Sequence, residues 1–209
     1  MPVNFRKTTF LGLAARLDQC PPPDRPEIVM SGRSNVGKSS LINALADHRG
    51  LAKVSQSPGK TRHIIYFNVD NQLRLTDLPG FGFARVARDE QARFSQLTDQ
   101  YLNSDRPVVL ILHLLDIRHQ PNTHDLQMME WLMASGLPWQ IVLTKADKLS
   151  RAQQERQKQQ IAKTLGLPDT SQLLAVSIQN RQGIETLRSV IAAAAGLANV
   201  PSPDAAAVD

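Results

Sequence analysis

The sequence has a single cysteine, Cys20, among its 209 residues. One cysteine excludes an intrachain disulfide and a metal cluster built on several thiolates, and it favours a reducing compartment. Long apolar runs are missing as well, because the longest, residues 107–115, has the length of a strand and not of a membrane span. Residues 1–7 contain no apolar signal core. We therefore expect a cytoplasmic protein with no membrane partner.

Neither sign of charge dominates the chain. Lysine and arginine number 24 against 19 aspartate and glutamate, which gives a net charge of +5 and a pI near 9.7. This excess allows a polyanionic partner but does not require one. With 42% hydrophobic and 21% charged residues, the chain has the composition of a globular protein, and its length suits one α/β domain.

The most informative stretch is Gly32 to Ser39, with the sequence GRSNVGKS. It follows an apolar run at 27–30 that predicts a buried strand, and it precedes the helical apolar spacing of 39–45. Two glycines at this spacing before Lys-Ser form the P-loop pattern, in which backbone N–H groups and a helix N-terminus surround a phosphate. Lys38 would bind the β- and γ-phosphates and Ser39 would ligate Mg²⁺. The alternative is a glycine-rich turn that opens an ordinary helix.

A second motif, Asp-Leu-Pro-Gly at 77–80, directly follows a predicted strand at 73–76. An aspartate at the carboxyl end of a strand is typical of the residue that holds the Mg²⁺ shell of a bound nucleotide. The N–H of Gly80 would then contact the γ-phosphate. A simple turn is the alternative, and the P-loop upstream favours the phosphate site.

The base is indicated by residues 144–148, Thr-Lys-Ala-Asp-Lys, which follow a predicted buried strand at 140–143. The carboxylate of Asp147 can accept both N1–H and the 2-amino group of guanine, a donor pair that adenine lacks. Lys145 would lie along the base plane. Residues 177–179 would close over the base and donate a backbone N–H to the guanine O6. Taken alone, the segment is more typical of an exposed charged turn, but its position after the two phosphate motifs strongly favours the guanine site.

Strand and helix patterns alternate along the chain. Strands are predicted at 27–30, 63–69, 73–76, 108–116, 140–143 and 173–177, and helices at 39–45, 86–102, 125–134, 150–165 and 183–195. Residues 10–17 are predicted to form a short additional helix, which the prolines at 21–23 stop. We divide the chain into an N-terminal extension over 1–26 that packs on the domain, a nucleotide-binding domain over 27–196 and a disordered tail over 197–209.

Together the motifs resemble the EngB family, bacterial GTPases of the Era-like branch that are needed for assembly of the large ribosomal subunit. The residues that carry the resemblance are 33–43, 58–61, 77–84, 116–119 and 144–148, and it covers about residues 5–196. It implies an α/β P-loop NTPase fold in three layers, with a mostly parallel six-stranded sheet, one antiparallel strand and helices on both faces. Thr144 stands where GTPases generally carry Asn, as the EngB pattern has it.

The resemblance also implies how the site works. Thr61 would be the switch threonine that ligates Mg²⁺ only with GTP bound, the alternative being a threonine that enters a strand. Asn35 would either bind K⁺ or brace the P-loop by a side-chain hydrogen bond. Phe81 occupies the place where Ras-type GTPases carry the glutamine that orients water, so we expect slow hydrolysis.

The predicted site residues fall into three groups. The catalytic group is Lys38, Thr61, Gly80 and Asn35, and the metal ligands are Ser39, Thr61 and Asp77. The nucleotide-binding group is Gly32, Arg33, Ser34, Asn35, Val36, Gly37, Lys38, Ser39, Ser40, Gly59, Lys60, Thr61, Asp77, Leu78, Pro79, Gly80, Thr144, Lys145, Ala146, Asp147, Val176, Ser177 and Ile178.

The resulting hypothesis is a slow, K⁺-stimulated, Mg²⁺-dependent GTPase that binds GTP and GDP and acts as a monomeric switch. Its partner would be the large ribosomal subunit or its precursor, contacted through rRNA and ribosomal proteins. Basic residues that could contact rRNA phosphates are Arg6, Lys7, Lys53 and 60–62. One alternative is a GTP-gated module with a target in cell division or at a membrane, although no lipidation motif or basic amphipathic helix is present. A P-loop kinase or ATPase is the other, and residues 144–147 argue against it.

Overall fold

The computed structural model describes residues 2–52, 63–80 and 96–197. The predicted site residues Gly59, Lys60 and Thr61 lie outside these ranges, as do Phe81 and the tail from residue 198. Within the described ranges, no helix combines the length and the apolar character that crossing a membrane requires.

The described residues form one seven-stranded sheet. The strands are β1 (Thr8–Ala14), β2 (Glu27–Gly32), β3 (Ile64–Val69), β4 (Leu73–Asp77), β5 (Val108–Asp116), β6 (Trp139–Thr144) and β7 (Leu173–Ala175). Their spatial order is β1-β3-β4-β2-β5-β6-β7. Because β3 pairs antiparallel with both β1 and β4 and the remaining pairs are parallel, β3 alone runs against the others. The predicted fold class and its one antiparallel strand are confirmed.

The predicted helix at 10–17 is wrong, and so is the predicted count of six strands. Residues 8–14 instead form the edge strand β1, and a single 3₁₀ turn follows at Leu17–Gln19. Most of β1 is exposed, so burial of apolar side chains does not select its conformation. The free edge of β3 offers unpaired backbone groups, and pairing from Thr8–Val69 to Ala14–Ile64 satisfies them. Tertiary pairing therefore overrides the weak helical spacing.

Helices cover both faces of the sheet. They are α1 (Lys38–Ala46), α2 (described over 96–102), α3 (Thr123–Ser135), α4 (Arg151–Thr164) and α5 (Ile184–Ala194). One core cluster joins the sheet to α1 and α5, and a second joins its other face to α2, α3 and α4. The strands at the centre are buried on both faces, which explains their continuous apolar sequences.

Five parallel strands, β2, β4, β5, β6 and β7, end at the same edge of the sheet. The polar motifs predicted from the sequence follow directly after these strand ends. In an open α/β sheet the crevice outside the carboxyl ends of the strands is where ligands bind. The fold thus gathers the motifs at one edge.

The opposite end of the sheet is held by a buried ionic cluster centred on Glu27, the first residue of β2. Glu27 is fully buried, and its carboxylate accepts a hydrogen bond from Arg106 Nε at 2.9 Å and another from the hydroxyl of Tyr101. Arg74 adds a second cation, with its Nη1 at 3.7 Å from Glu27 Oε1. Hydrogen bonding to Glu27 raises the pKa of Arg106 further and keeps its guanidinium charged, although burial opposes this.

Candidate functional site

The loop between β2 and α1 has the backbone conformation that its glycines allow. Gly32 has φ +141° and Gly37 has φ +116°, a region that residues with a side chain rarely adopt. A Cβ on Gly32 would lie 2.7 Å from the carbonyl oxygen of Leu114 on β5. Asn35, with φ +60°, is in the left-handed region as well. The loop therefore curls tightly before α1 begins at Lys38.

Lys38 and Asp77 face each other beneath this loop. The Lys38 ammonium donates to the carbonyl oxygen of Gly32 at 3.3 Å and lies 3.9 Å from Asp77 Oδ1. Both side chains are buried, with exposures of 8% and 2%. Burial raises the pKa of Asp77 to about 6, and the positive charge of Lys38 offsets this only in part.

The segment after β4 lies against the P-loop. Its first residue, Leu78, donates its N–H to Met30 of β2 at 3.0 Å. A Cβ on Gly80 would be 3.0 Å from the backbone N of Ser34 and 3.1 Å from Lys38 Nζ. Only glycine allows so close an approach without displacing the P-loop. The two predicted phosphate motifs are thus in direct contact.

The donor set beside Asp77 fits a hard divalent cation. Asp77 Oδ1 is buried and has no hydrogen-bond partner among residues 2–52, 63–80 and 96–197. A buried carboxylate oxygen without a donor is unfavourable unless a cation or ordered water supplies the missing contact. The other predicted ligand in the described part of the chain, Ser39, is partly buried in the first turn of α1. Carboxylate and hydroxyl oxygens are the ligands that Mg²⁺ prefers.

We expect Asp77→Asn to stabilise the protein without nucleotide and metal at neutral pH. Because the folded pKa of Asp77 is raised, the folded state holds the proton more tightly than the unfolded state, and stability falls as pH rises from about 4 to about 7. Because the pKa of Asp77 is about 6 in the folded state, ionisation of its carboxyl lowers the free energy of unfolding by about 3 kcal/mol at pH ~7.5 and by about half of that at pH ~5. Urea unfolding of the natural protein and the variant in EDTA measures the difference between their free energies of unfolding. An equal difference at the two pH values would contradict the raised pKa of Asp77.

Thr144 joins the end of β6 to the P-loop. Its hydroxyl is 1% exposed and lies 2.8 Å from the carbonyl oxygen of Val36 and 3.1 Å from that of Leu115. The hydroxyl is therefore engaged with the backbone. It ties the guanine loop, defined as residues 144–149 and containing the predicted base motif 144–148, to the P-loop.

Lys145 is anchored from two sides. Its ammonium donates to the carbonyl oxygen of Asn35 at 3.3 Å and lies 2.8 Å from Asp116 Oδ2. Arg118 also binds Asp116, with Nε at 2.9 Å and Nη2 at 2.7 Å from the two carboxylate oxygens. Burial disfavours the charged form of Asp116, but the hydrogen bonds from Arg118 and Lys145 outweigh it and hold the pKa well below its usual range.

Asp116 lies in the segment 116–119 that carries the resemblance, but the sequence analysis gave it no role in the site. A role was indicated by its position at the carboxyl end of β5, the same kind of position as that of Asp77 at the end of β4. Asp116 is also the register partner of Thr144 across the β5–β6 pair. That pairing brings it beside the guanine loop.

Asp116→Asn is expected to accelerate dissociation of GDP about tenfold. The change removes one charge-assisted hydrogen bond to Lys145, worth about 1.5 kcal/mol in a partly buried site. The matched control is Asp18→Asn, because Asp18 also binds an arginine two residues away, Arg16, but in an exposed turn. Release of a fluorescent GDP analogue measures both variants. Equal rates for the two variants would exclude an anchoring role.

Asp147 is held by the loop that follows β7. Ser177 donates its hydroxyl to Asp147 Oδ1 at 2.8 Å, and Lys148 Nζ lies 3.2 Å from Oδ2. Burial alone would raise the pKa of Asp147, but the hydrogen bonds from Ser177 and Lys148 lower it below its usual value. The carboxylate is therefore an ionised acceptor at neutral pH.

The closing loop, residues 177–182, leaves two of its backbone donors, those of Ile178 and Arg181, without an acceptor in the described part of the chain. The N–H of Ser177 binds the carbonyl oxygen of Gln182 at 3.0 Å, and the N–H groups of Gln179 and Asn180 bind the hydroxyl of Ser177 at 3.2 and 3.4 Å. Of the two free N–H groups, that of Ile178 lies within 177–179, the segment predicted to donate to guanine O6.

The structure brings the predicted residues of the described ranges to the same edge of the sheet. Ala146 and Val176 join the guanine loop to the end of β7, because the N–H of Ala146 donates to the carbonyl oxygen of Val176 at 3.1 Å. The other predicted site residues belong to the P-loop, to the first turn of α1 and to the turn after β4. Leu78 and Pro79 are buried, Ser34 and Ser40 are partly buried, and Arg33 is exposed.

Comparison with known proteins agrees with this geometry. Residues 27–145 match the family described as 50S ribosome-binding GTPase. Among curated proteins, the chain is 42% identical over 192 residues to a probable GTP-binding protein EngB of Syntrophomonas wolfei, covering 92% of this chain and 98% of that protein. A probable GTP-binding protein EngB of Clostridium perfringens is 40% identical over 185 residues, covering 88% of this chain and 94% of its own.

Solved structures agree in fold. A crystal structure of a probable GTP-binding protein engB aligns with a TM-score of 0.68 at 22% identity and covers 81% of this chain and 98% of its own. The structure of Aquifex aeolicus Era bound to GDP and AlF4⁻ aligns with a TM-score of 0.66 at 19% identity, over 86% of this chain and 60% of that one.

Proposed function

The chain belongs to the EngB family of GTP-binding proteins and is a GTPase, and from this we propose that it is a GTP-dependent switch in assembly of the large ribosomal subunit. The observation that carries the proposal is the match of residues 27–145 to the family described as 50S ribosome-binding GTPase. The matched segment includes the P-loop, Asp77 and Lys145. Within this proposal, nucleotide state decides whether the protein binds the subunit or its precursor, through rRNA and ribosomal proteins.

The phosphates would bind in the P-loop. Backbone N–H groups of residues 33–39 and the N-terminus of α1 would surround them, and Lys38 would neutralise charge on the β- and γ-phosphates. Gly80, which approaches Ser34 and Lys38 closely, would sense the γ-phosphate through its N–H. These contacts depend on the phosphates and not on the base.

The base would bind between the guanine loop and the closing loop. Asp147 would accept N1–H and the 2-amino group, Ile178 would donate its N–H to O6, and the aliphatic part of Lys145 would lie along the base. The lowered pKa of Asp147 supports this role because a carboxylate must be ionised to accept two donors.

Mg²⁺ would be held by Ser39, Asp77 and, with GTP bound, Thr61. Bound there, it would neutralise charge on the β- and γ-phosphate oxygens. Thr61 and the preceding Gly59 and Lys60 lie outside the described residues, so their roles rest on the family motif. Since Phe81 cannot orient an attacking water, the isolated protein should hydrolyse GTP slowly.

Potassium would bind at Asn35. Its side chain makes no hydrogen bond to any of residues 2–52, 63–80 and 96–197, which leaves the bracing alternative without a contact there. Turnover of GTP should therefore be faster in KCl than in NaCl at equal ionic strength, and Asn35→Ala should remove the difference. Equal turnover of the natural protein in the two salts would contradict a K⁺ site.

Co-sedimentation with purified ribosomal subunits tests the switch. The protein is loaded with a non-hydrolysable GTP analogue, with GDP or with no nucleotide, and each form is mixed with large or small subunits at two salt concentrations. We expect the GTP-like form to bind the large subunit preferentially, and binding to weaken with salt if rRNA phosphates are contacted. Nucleotide-independent binding, or equal binding to both subunits, would contradict the proposal and favour a target outside the ribosome.

A further inference from the structure

We propose that Gln154 of α4 is a positioning residue for guanine recognition, because its side-chain amide fixes the position of the guanine loop relative to the closing loop. The inference rests on the proposed base site and adds a residue that would not touch the nucleotide. Its basis is a chain of hydrogen bonds that joins the two loops behind Asp147.

Gln154 is the one buried residue in the polar first half of α4, residues 151–157. Its side chain is 6% exposed, whereas the residues at 151–153, 155 and 156 are all exposed. Burying a glutamine is unfavourable unless its amide is fully hydrogen bonded. The side chain must therefore find its partners inside the protein.

Both partners of the amide nitrogen belong to the guanine loop. Gln154 Nε2 donates to the carbonyl oxygen of Ala146 at 2.9 Å and to that of Leu149 at 3.1 Å. Ala146 is the first residue of the 3₁₀ turn Ala146–Lys148, which carries Asp147, and Leu149 directly follows this turn. One side chain thus fixes both ends of the turn that presents the carboxylate.

The amide oxygen connects to the closing loop. Gln154 Oε1 accepts a hydrogen bond from Gln182 Nε2 at 2.9 Å. The carbonyl oxygen of Gln182 accepts the N–H of Ser177 at 3.0 Å, and Ser177 donates its hydroxyl to Asp147. The contacts form a closed circuit from the turn of Asp147 through Gln154 and Gln182 to Ser177 and back.

Only glutamine fulfils this role at position 154. Glutamate has no N–H to donate to the carbonyls of Ala146 and Leu149, and methionine has neither donor nor strong acceptor. Either replacement leaves the partly buried carbonyl oxygen of Leu149 without its donor, and it leaves the carbonyl oxygen of Ala146 with only the N–H of Leu149 at 3.1 Å. The loops would still be joined by the backbone bond from Ala146 to Val176 and by the bond between Ser177 and Asp147. The expected defect is therefore in loop position and not in folding.

Loop position matters most for the bidentate contact of Asp147. A displacement of about 1 Å weakens a two-donor interaction more than the phosphate contacts, which the P-loop makes independently. The test compares GDP with IDP, whose base lacks the 2-amino group. We expect Gln154→Met to weaken GDP binding about tenfold and IDP binding by less than threefold, so that the preference for GDP falls.

Three companion measurements complete the experiment. Gln182→Met removes the bridge between the loops but leaves the bonds to Ala146 and Leu149, so a smaller loss of the GDP preference is expected. Gln154→Glu should behave like Gln154→Met because it lacks the donor. Gln159→Met is the matched control, since this exposed glutamine lies on the same helix and its side chain makes no hydrogen bond to the described residues.

The outcomes separate this inference from the proposed function. If the natural protein binds GDP and IDP equally, the assignment of Asp147 to the base is wrong. If it prefers GDP and Gln154→Met or Gln182→Met keeps the same ratio of affinities, the positioning role alone is overturned. A variant at 154 that loses only stability, with the ratio unchanged at a temperature where it is folded, also overturns it. If neither variant at 154 folds, the ratio of Gln182→Met decides.

Discussion

Asp147→Asn is expected to transfer the base preference of this GTPase from guanine to xanthine. The asparagine keeps the size of the side chain and can still accept the Ser177 hydroxyl through its oxygen. It replaces the second acceptor by an NH₂ donor, which faces the 2-amino group of guanine without a partner. Xanthine carries a carbonyl oxygen at that position and accepts the new donor.

The expected effect on GDP is large because the site rejects a mismatched donor pair instead of merely losing a contact. A buried polar group left unpaired lowers affinity by about 10³-fold or more. XDP should gain affinity by a similar factor. Titration of the natural protein and the variant with fluorescent GDP and XDP measures the exchange. Asp169→Asn serves as the control, since Asp169 is an exposed aspartate that accepts the N–H of Ser171 far along the chain from the guanine loop.

The Asp147→Asn variant also provides a control for the co-sedimentation experiment with ribosomal subunits. If Asp147 binds the base, large-subunit binding of Asp147→Asn should require a non-hydrolysable XTP analogue and no longer respond to the GTP analogue. A variant that still binds GDP as tightly as the natural protein would remove Asp147 from the base site. The P-loop assignments would be unaffected by that result, since they rest on separate contacts.

The parts of the site that could be predicted from the sequence are those fixed by short-range geometry. The P-loop spacing, Asp77 at a strand end and Asp147 four residues after a strand depend on a few consecutive residues each. Their placement at one edge follows from the parallel sheet. The fold class was predictable because strand and helix patterns alternate locally, and the family was predictable from the same short motifs.

The features that sequence analysis missed depend on contacts between distant segments. Strand β1 forms because β3, more than 50 residues later, leaves an edge unpaired. Asp116 reaches Lys145 only through the pairing of β5 with β6. In the sequence, Gln154 is one polar residue of a polar helix, and its partner in the guanine loop comes close to it only when the protein folds. Local periodicity contains no information about such partners.

Glu27 belongs to the same class, since it opens the predicted buried strand 27–30 and the partners of its fully buried carboxylate, Arg106 and Arg74, come from distant segments. Glu27→Gln should lower the free energy of unfolding by about 3–5 kcal/mol, because it leaves the largely buried guanidinium group of Arg106 without its counter-charge and leaves Arg74 with only the exposed Asp24 as its partner. The cluster lies at the amino end of β2, opposite the nucleotide site, so GDP affinity should remain unchanged while stability falls.

The control for this prediction is Glu155→Gln, which also removes a glutamate from an ion pair, here with Lys158. Glu155 is 63% exposed, so solvent screens the pair and its loss should change stability by only about 0.5 kcal/mol. Urea unfolding of the two variants at neutral pH isolates the effect of burial. Adding Arg106→Met to Glu27→Gln should restore part of the lost stability, since it removes the uncompensated charge. Equal losses for Glu27→Gln and Glu155→Gln would mean that water reaches the cluster and that the sheet does not depend on it.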